Sequence, residues 1–501
     1  MPSLNRLVKS IRNTKIPRWL TFVIVFSFLL RIPSFFEPYY YGDEMIYLTL
    51  GEAIKQGKTL YLEIHDNKPP LLYIMAALTG SVFWFRMVLA FWNTITIYVF
   101  YKLSVFLFPK KANLQKLSVF IFAILTTIPL LEGNIANAEN FMILPTILAF
   151  YLLLTKRNTF KLLFISGLLL SAASLFKIPA AFELPVIFFY WLITEKKLNT
   201  KTILNISYKF LIIVAGFLLP ILLSILYYYA KGAGWDYLVA AYLQNVGYLS
   251  SFRPDDVQEP FLVKNLPLII RGVIVVAATA VLYVFRKKLS RQFLLLTLWL
   301  FFTLFAVALS ERPYPHYLIQ IVPAFSLLLG MLVTLNNIEQ SLSVIPLFFA
   351  FLVPFYYRFW YYPTASYYTR FISYATGSID TSTYLEGFGG NVVRNYRIAK
   401  YLNNTMEKED VLFVWGDNAS IYALTAKLPP IKYTVDYHIH DFYTKEAAAG
   451  DIANLKPQFV VVQAGSEEFA EINTVLNLNY YLINVIDGAE IWKLNKNQVQ
   501  I

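Results

Sequence analysis

From Trp19 to Tyr357 the chain is a succession of apolar runs separated by short polar connections. Inside a bilayer every backbone N–H and C=O must be satisfied within its own segment, so runs of this kind fold as membrane-crossing helices. The runs predict helices over 18–36, 87–108, 116–132, 140–155, 161–176, 179–194, 206–229, 263–285, 292–309, 316–335 and 342–357, about eleven spans in a mostly α-helical bundle. Charge tests this threading. The connections "PKKANLQK" (109–116), "KRNTFK" (156–161), "EKKLNTK" (195–201) and "RKKLSRQ" (286–292) are basic and all fall on one side, which assigns that side to the cytoplasm. Segment 69–83 is short and begins with two prolines. As a full span it would scatter the basic connections over both faces, so it reads as a re-entrant or interfacial helix. The run from Leu162 to Thr194 would measure roughly 50 Å as one helix and must break. Pro179 in "KIPA" marks the turn and leaves Lys177 at the outer end of the hairpin.

Composition agrees with a membrane protein: 57% of the 501 residues are hydrophobic and 15% are charged. The net charge of +12 sits in the connections rather than on a basic face interleaved with stacking aromatics, which excludes nucleic acid as a partner. The absence of cysteine excludes disulfides, thiol catalysis and thiolate metal sites. The first run follows Lys9, Arg12, Lys15 and Arg18 and lacks a small-residue cleavage site, so it reads as an uncleaved span with a cytoplasmic N-terminus.

Beyond "YYRFWYYP", an aromatic stretch suited to a membrane interface, the composition turns soluble from about Ser378. Apolar runs at 410–416, 458–463 and 479–486 read as strands, alternating with helix-like 391–406, 418–425 and 466–476. The expected organisation is a transmembrane domain over 1–360, with its first outer loop at 37–85, and a small extracytoplasmic α/β domain over 378–501. "GFGGN" (387–391) follows no strand, which argues against a nucleotide site there.

Under this topology the unusual polar residues share the side opposite the basic connections. They lie in 37–68, "EGNIANAEN" (132–140), Lys177, 230–262 and "SERPYPH" (310–316). "GDEMIYLTLGEAIKQG" reads as an amphipathic helix with Asp43 as N-cap and Gly57 closing it, which accounts structurally for the acid pair Asp43 and Glu44. In "HDNKPPLLY", Lys68 precedes two prolines at the start of a helix. It could bind lipid headgroups or form a phosphate site with unpaired backbone N–H groups. "RPYPHY" sets Arg312, His316 and Tyr317 at the mouth of a span, as an aromatic anchor or a second cationic patch. His438 and His440 in "DYHIHD" read as surface residues, and the acidic "RPDDVQE" (253–259) as a solvated loop.

The order of these pieces resembles the C-type membrane glycosyltransferases, in particular the family 39 group of protein O-mannosyltransferases and aminoarabinose transferases. It is carried by "GDE" after the first span, "GKTLY" (57–61), "DNKPPLLY" (66–73), "NAE" (137–139), "LFKIPA" (175–180) and "PHYLIQIVP" (315–323). The resemblance implies a sugar donor on a polyprenyl phosphate, an extracytoplasmic acceptor on protein, lipid or glycan, and an active site on the outer face. It also implies that Asp43 acts at the reaction centre. A carboxylate within reach of the acceptor hydroxyl serves as general base. Glu44 would orient the sugar or keep Asp43 ionised, while Lys68, with Lys177, Arg312, His316 or Tyr317, would stabilise the departing phosphate. Such an arrangement inverts the anomeric carbon. Glu139 joins the substrate-binding set. These residues make no cofactor certain, and the resemblance leaves room for a divalent metal. Asn67 stands where the aminoarabinose transferases carry an acid, and Asp43, Glu139 and His65 are the candidate ligands for a divalent ion. Two other readings compete. A transporter or flippase of lipid-linked substrates would place its charges at mid-bilayer rather than at one surface. A membrane anchor for an outer binding module leaves Lys68 and the Arg312 cluster unexplained.

Overall fold

A computed structural model describes residues 16–155, 158–247, 262 and 265–495. Lys9, Arg12 and Lys15 and the acidic loop 253–259 lie outside the described residues, as do part of the 156–161 connection and much of the 230–262 loop. Among the described residues eight helices are long and apolar enough to cross a bilayer, and Ala112–Leu125, Phe160–Phe176 and Ile178–Thr194 are shorter apolar helices between them. Together they match the spans expected from the apolar runs. The perimeter is hydrocarbon-like. Leu211, Leu222, Val276 and Phe355 are more than half exposed, as a lipid-facing surface requires.

Helix Phe160–Phe176 ends at Lys177, whose backbone is extended, and a 3₁₀ turn Ile178–Glu183 containing Pro179 leads into Leu184–Thr194. The long apolar run breaks where expected. Phe160–Phe176 packs against Thr200–Ala230 through Gly167 and Gly216, where an added Cβ would come within 2.1 Å of Ile213 O or 2.2 Å of Phe164 O. Small residues thus let the two backbones touch.

Helix Gly42–Lys55 crosses the nine-residue helix Leu71–Thr79 at Gly51, whose missing side chain leaves room for the Ala76–Ala77 backbone. Leu71–Thr79 is too short to span a bilayer, in keeping with its reading as a juxtamembrane element. At one end of the bundle Gln292 Nε2 donates to Leu107 O (3.0 Å) and Gln115 Nε2 to Phe108 O (2.6 Å), so basic connections meet there. The polar loops collect at the opposite end, around Gly42–Lys55.

The C-terminal part carries a four-stranded sheet, β1 (Leu412–Trp415), β2 (Phe459–Val462), β3 (Tyr480–Ile486) and β4 (Ala489–Leu494), in the order β1-β2-β4-β3. β1 and β2 are parallel, and the other pairs are antiparallel. β4 was not anticipated from the apolar runs. It follows Asp487-Gly488, both at positive φ, the sequence signal of a tight hairpin. Alternation along β1 sends Leu412 and Val414 into the core shared with the membrane bundle. Phe413 and Trp415 instead join a second cluster with Phe469 and Ile472. Helix Ser420–Thr425 rests on helix Gly42–Lys55, so the C-terminal part bears on the first polar loop.

Candidate functional site

A cavity of about 1000 Å³ opens where the polar loops meet. It draws residues from every region that the sequence had placed on that side. Asp43, Lys68, Glu139, Lys177, Arg312, His316 and Tyr317 all line it, although they span 274 positions of the chain.

Asp43 is not the N-cap expected from the sequence: it sits in the first turn of Gly42–Lys55, two positions past the capping residue Tyr41, which makes no side-chain bond. Freed from capping, the Asp43 carboxylate turns into the cavity. It accepts from Tyr47 OH at 2.8 Å and lies 3.7 Å from Lys68 Nζ. Enclosure opposes its charge, but Lys68, His316 and the Tyr47 hydroxyl outweigh that and hold its pKa below the usual range. Asp43 is therefore a charged acceptor at neutral pH.

Lys68 Nζ lies equally 3.7 Å from Asp66 Oδ2 and 5.0 Å from the Tyr47 ring centroid. Lys177 pairs with Glu139, and its ammonium stands 3.6 Å over the Tyr317 ring. His316 Nε2 lies 3.7 Å from Glu139, and its Nδ1 bonds Glu132. Glu132 also accepts from Tyr41 OH (2.6 Å) and Asn137 Nδ2 (3.1 Å). Burial, then Glu132, keeps the Tyr41 phenol protonated. The result is the Asp43 carboxylate in one cavity with Lys68, Lys177 and His316, beside which stand the acids Asp66, Glu139 and Glu132. Phe182, Leu268, Phe305 and Leu309, two of them from membrane helices, add an apolar part to the lining.

Two expected residues lie elsewhere. Glu44 does not line the cavity. It is fully buried, takes two bonds from Arg86 (3.0 and 2.5 Å) and accepts from Ala136 N at 2.7 Å. Arg86 also binds Ser34 O and Glu37, so Glu44 anchors the first loop to the membrane helices. A step of one residue turns a helical side chain by about 100°, which separates the acid pair. His65 packs its ring against Tyr433, His438 and Phe442. Burial and the neighbouring His438 push its pKa down to about 3. Among the described residues no three His or carboxylate side chains converge on a metal position, so Asp43, Glu139 and His65 do not fit as one ligand set.

The sequence reading also passed over four members of the site. Glu132, Tyr41 and Asp66 sit in the loops already singled out but are identified only by the partners they meet. His438, expected at the surface, is 3% exposed and lines the cavity from helix Asp436–Phe442; His440 is exposed as expected.

The described chain is similar in structure to ArnT from Cupriavidus metallidurans bound to undecaprenyl phosphate. The TM-score is 0.55 at 11% sequence identity, covering 96% of this chain and 98% of that one. The apo state of the same ArnT gives a TM-score of 0.53 at 13% identity, with 95% and 97% covered. At such identity the likeness shows the fold, the C-type membrane glycosyltransferase fold. Residues 394–494 match the family described as "Putative competence-induced protein Ccs4 C-terminal domain". No curated protein matches the chain significantly.

Proposed function

We propose that this multi-pass membrane protein, built on the C-type glycosyltransferase fold, moves a sugar from a polyprenyl-phosphate donor to an acceptor hydroxyl on the extracytoplasmic side. The observation that carries the reading is the carboxylate of Asp43 placed 3.7 Å from Lys68 on the wall of a cavity that Lys177, Arg312 and His316 also line. The undecaprenyl phosphate bound to the structurally similar ArnT supports a donor of this class.

In the proposed reaction the acceptor oxygen attacks the anomeric carbon while the bond from that carbon to the phosphate oxygen breaks. The hydroxyl proton passes to Asp43, and the lipid phosphate leaves with the bonding electrons. Lys68, with Lys177, Arg312 and His316, stabilises the charge that grows on the phosphate. A carboxylate held below its usual pKa is a weak base at rest. Arrival of the phosphate draws the Lys68 ammonium away from Asp43, and the acid gains basicity as the donor binds. The apolar wall of Phe182, Leu268, Phe305 and Leu309 suits the first prenyl units. Attack and departure on opposite faces of the sugar give inversion.

Incubation of the purified protein with undecaprenyl-phosphate-linked mannose or aminoarabinose tests this. Sugar transfer or slow donor hydrolysis, lost in Asp43→Asn with folding intact, supports the enzyme. Donor movement across proteoliposomes without chemistry, indifferent to that substitution, supports a flippase instead.

A further inference from the structure

The loop carrying Lys68 is tied down on several sides. Tyr73 OH donates to Asp66 Oδ2 (2.9 Å) and accepts from Lys68 N (3.1 Å). Tyr61 OH donates to Lys68 O (2.9 Å), and Asn245 Nδ2 to Asn67 O (2.8 Å). A further tie comes from the far end of the chain, where His65 N donates to Lys432 O at 2.9 Å. Lys432 is itself paired with Asp236 at 2.6 Å. From that point helix Asp436–Phe442 lays His438 over the loop.

His438 Nε2 lies 3.8 Å from Asp66 Oδ1, and Nδ1 is buried with no hydrogen-bond partner. Burial lowers the His438 pKa even though Asp66 opposes this, so the ring is neutral. A neutral imidazole beside a carboxylate presents its N–H to it, which puts the proton on Nε2. Asp66 holds the same ammonium as Asp43, at the same 3.7 Å. An N–H dipole aimed at Asp66 weakens its hold on Lys68. Without that dipole the lysine shifts toward Asp66 and away from Asp43.

We propose that His438 is a positioning residue for the donor phosphate: it sets the grip of Asp66 on Lys68, and segment 432–442 is thereby a working wall of the active site. The inference rests on the reading of Lys68 as a phosphate ligand. It gives the C-terminal part a direct share in the chemistry, since Tyr437, Asp441 and Phe442 of the same segment face the cavity too.

Titration of the purified full-length protein in detergent with undecaprenyl phosphate tests it. His438→Ala is expected to weaken binding by roughly three- to tenfold, the scale of an N–H dipole acting on a carboxylate from beyond hydrogen-bond distance. His438→Gln, which restores an N–H, should recover most of the loss, and His440→Ala should bind as the parent does. In an Asp66→Asn background His438→Ala should have no further effect, because the two act through one contact. Should His438→Ala fail to fold, His438→Gln against His438→Met makes the same comparison, since both fill the space and only glutamine donates. Parent-like binding by the folded alanine or methionine variant, or an additive loss in the Asp66→Asn background, overturns the inference alone. If the parent itself does not bind undecaprenyl phosphate, the proposed donor falls and the role of His438 falls with it.

Discussion

Adjacent acids with opposite surroundings make the sharpest prediction. Asp43→Asn removes a carboxylate whose side chain is 35% exposed and whose partners are Tyr47 OH at 2.8 Å and Lys68 at 3.7 Å. Asparagine still accepts from Tyr47, and the ion pair is solvated, so folding stability should change by about 1 kcal/mol or less. Turnover should fall by ~10²–10⁴, the usual worth of a general base, which is about 3–5 kcal/mol of barrier. Glu44→Gln should do the reverse. Glutamine can keep the bonds to one oxygen from Arg86 Nε and Ala136 N, but its NH₂ then meets Arg86 Nη2, donor against donor, where Oε2 had accepted at 2.5 Å. Breaking a buried pair in this way costs about 3–5 kcal/mol.

The assays are donor turnover and thermal denaturation of the detergent-solubilised protein, with apparent Tm used for ranking because such unfolding is commonly irreversible. Asp43→Asn should be inactive at parental Tm, and Glu44→Gln should lose several degrees. The pH profile supplies a second check. A carboxylate with depressed pKa is ionised through the neutral range, so kcat/KM, which reports the free enzyme, should hold across neutral pH and fall only below the usual carboxylate range. Two variants that both keep their Tm and lose turnover equally would refute the division of labour, since a Glu44 sealed against Arg86 has no route to substrate.

Other outcomes follow from the same contacts. Lys68→Met should weaken undecaprenyl phosphate binding by about 10–100-fold, the scale of a charge-assisted bond, while Asp43→Asn should strengthen it by releasing Lys68; isothermal titration in micelles measures both. His65, whose folded pKa of about 3 lies below the ordinary 6.5, should make the protein less stable as pH falls from about 6.5 towards 3. There the unfolded chain takes up a proton that the folded chain refuses, a slope of about 1.4 kcal/mol per pH unit. His65→Phe should flatten that slope in pH-dependent melting curves. Gly167→Ala would drive a methyl into Ile213 O and should cost at least 1–3 kcal/mol, seen as a lower apparent Tm. The same change at the exterior Gly272, where an added Cβ meets nothing, should leave it unchanged.

Much of the membrane architecture was already written in the chain. Apolar runs specify helices because lipid offers the backbone no other partner, and the break at Pro179 and the gathering of polar loops at one end follow from length and charge. The polar residues 43, 68, 139, 177, 312, 316 and 317 were therefore identifiable as neighbours before any coordinate was known. What each one does there was decided in three dimensions. Glu44 and Asp43 are indistinguishable as letters, and only Arg86, 42 positions away, removes the former from the cavity. His438 and Asp66 meet across most of the chain, in a pairing for which local sequence has no signal. β4 was hidden because "AEIWKL" is short, interrupted by Glu490 and Lys493, and has no continuous apolar run. A bilayer imposes its requirement on every residue of a span and so leaves a local, repeated mark. A polar site is built from single contacts between remote segments, and which charge each side chain finds depends on how the helices pack.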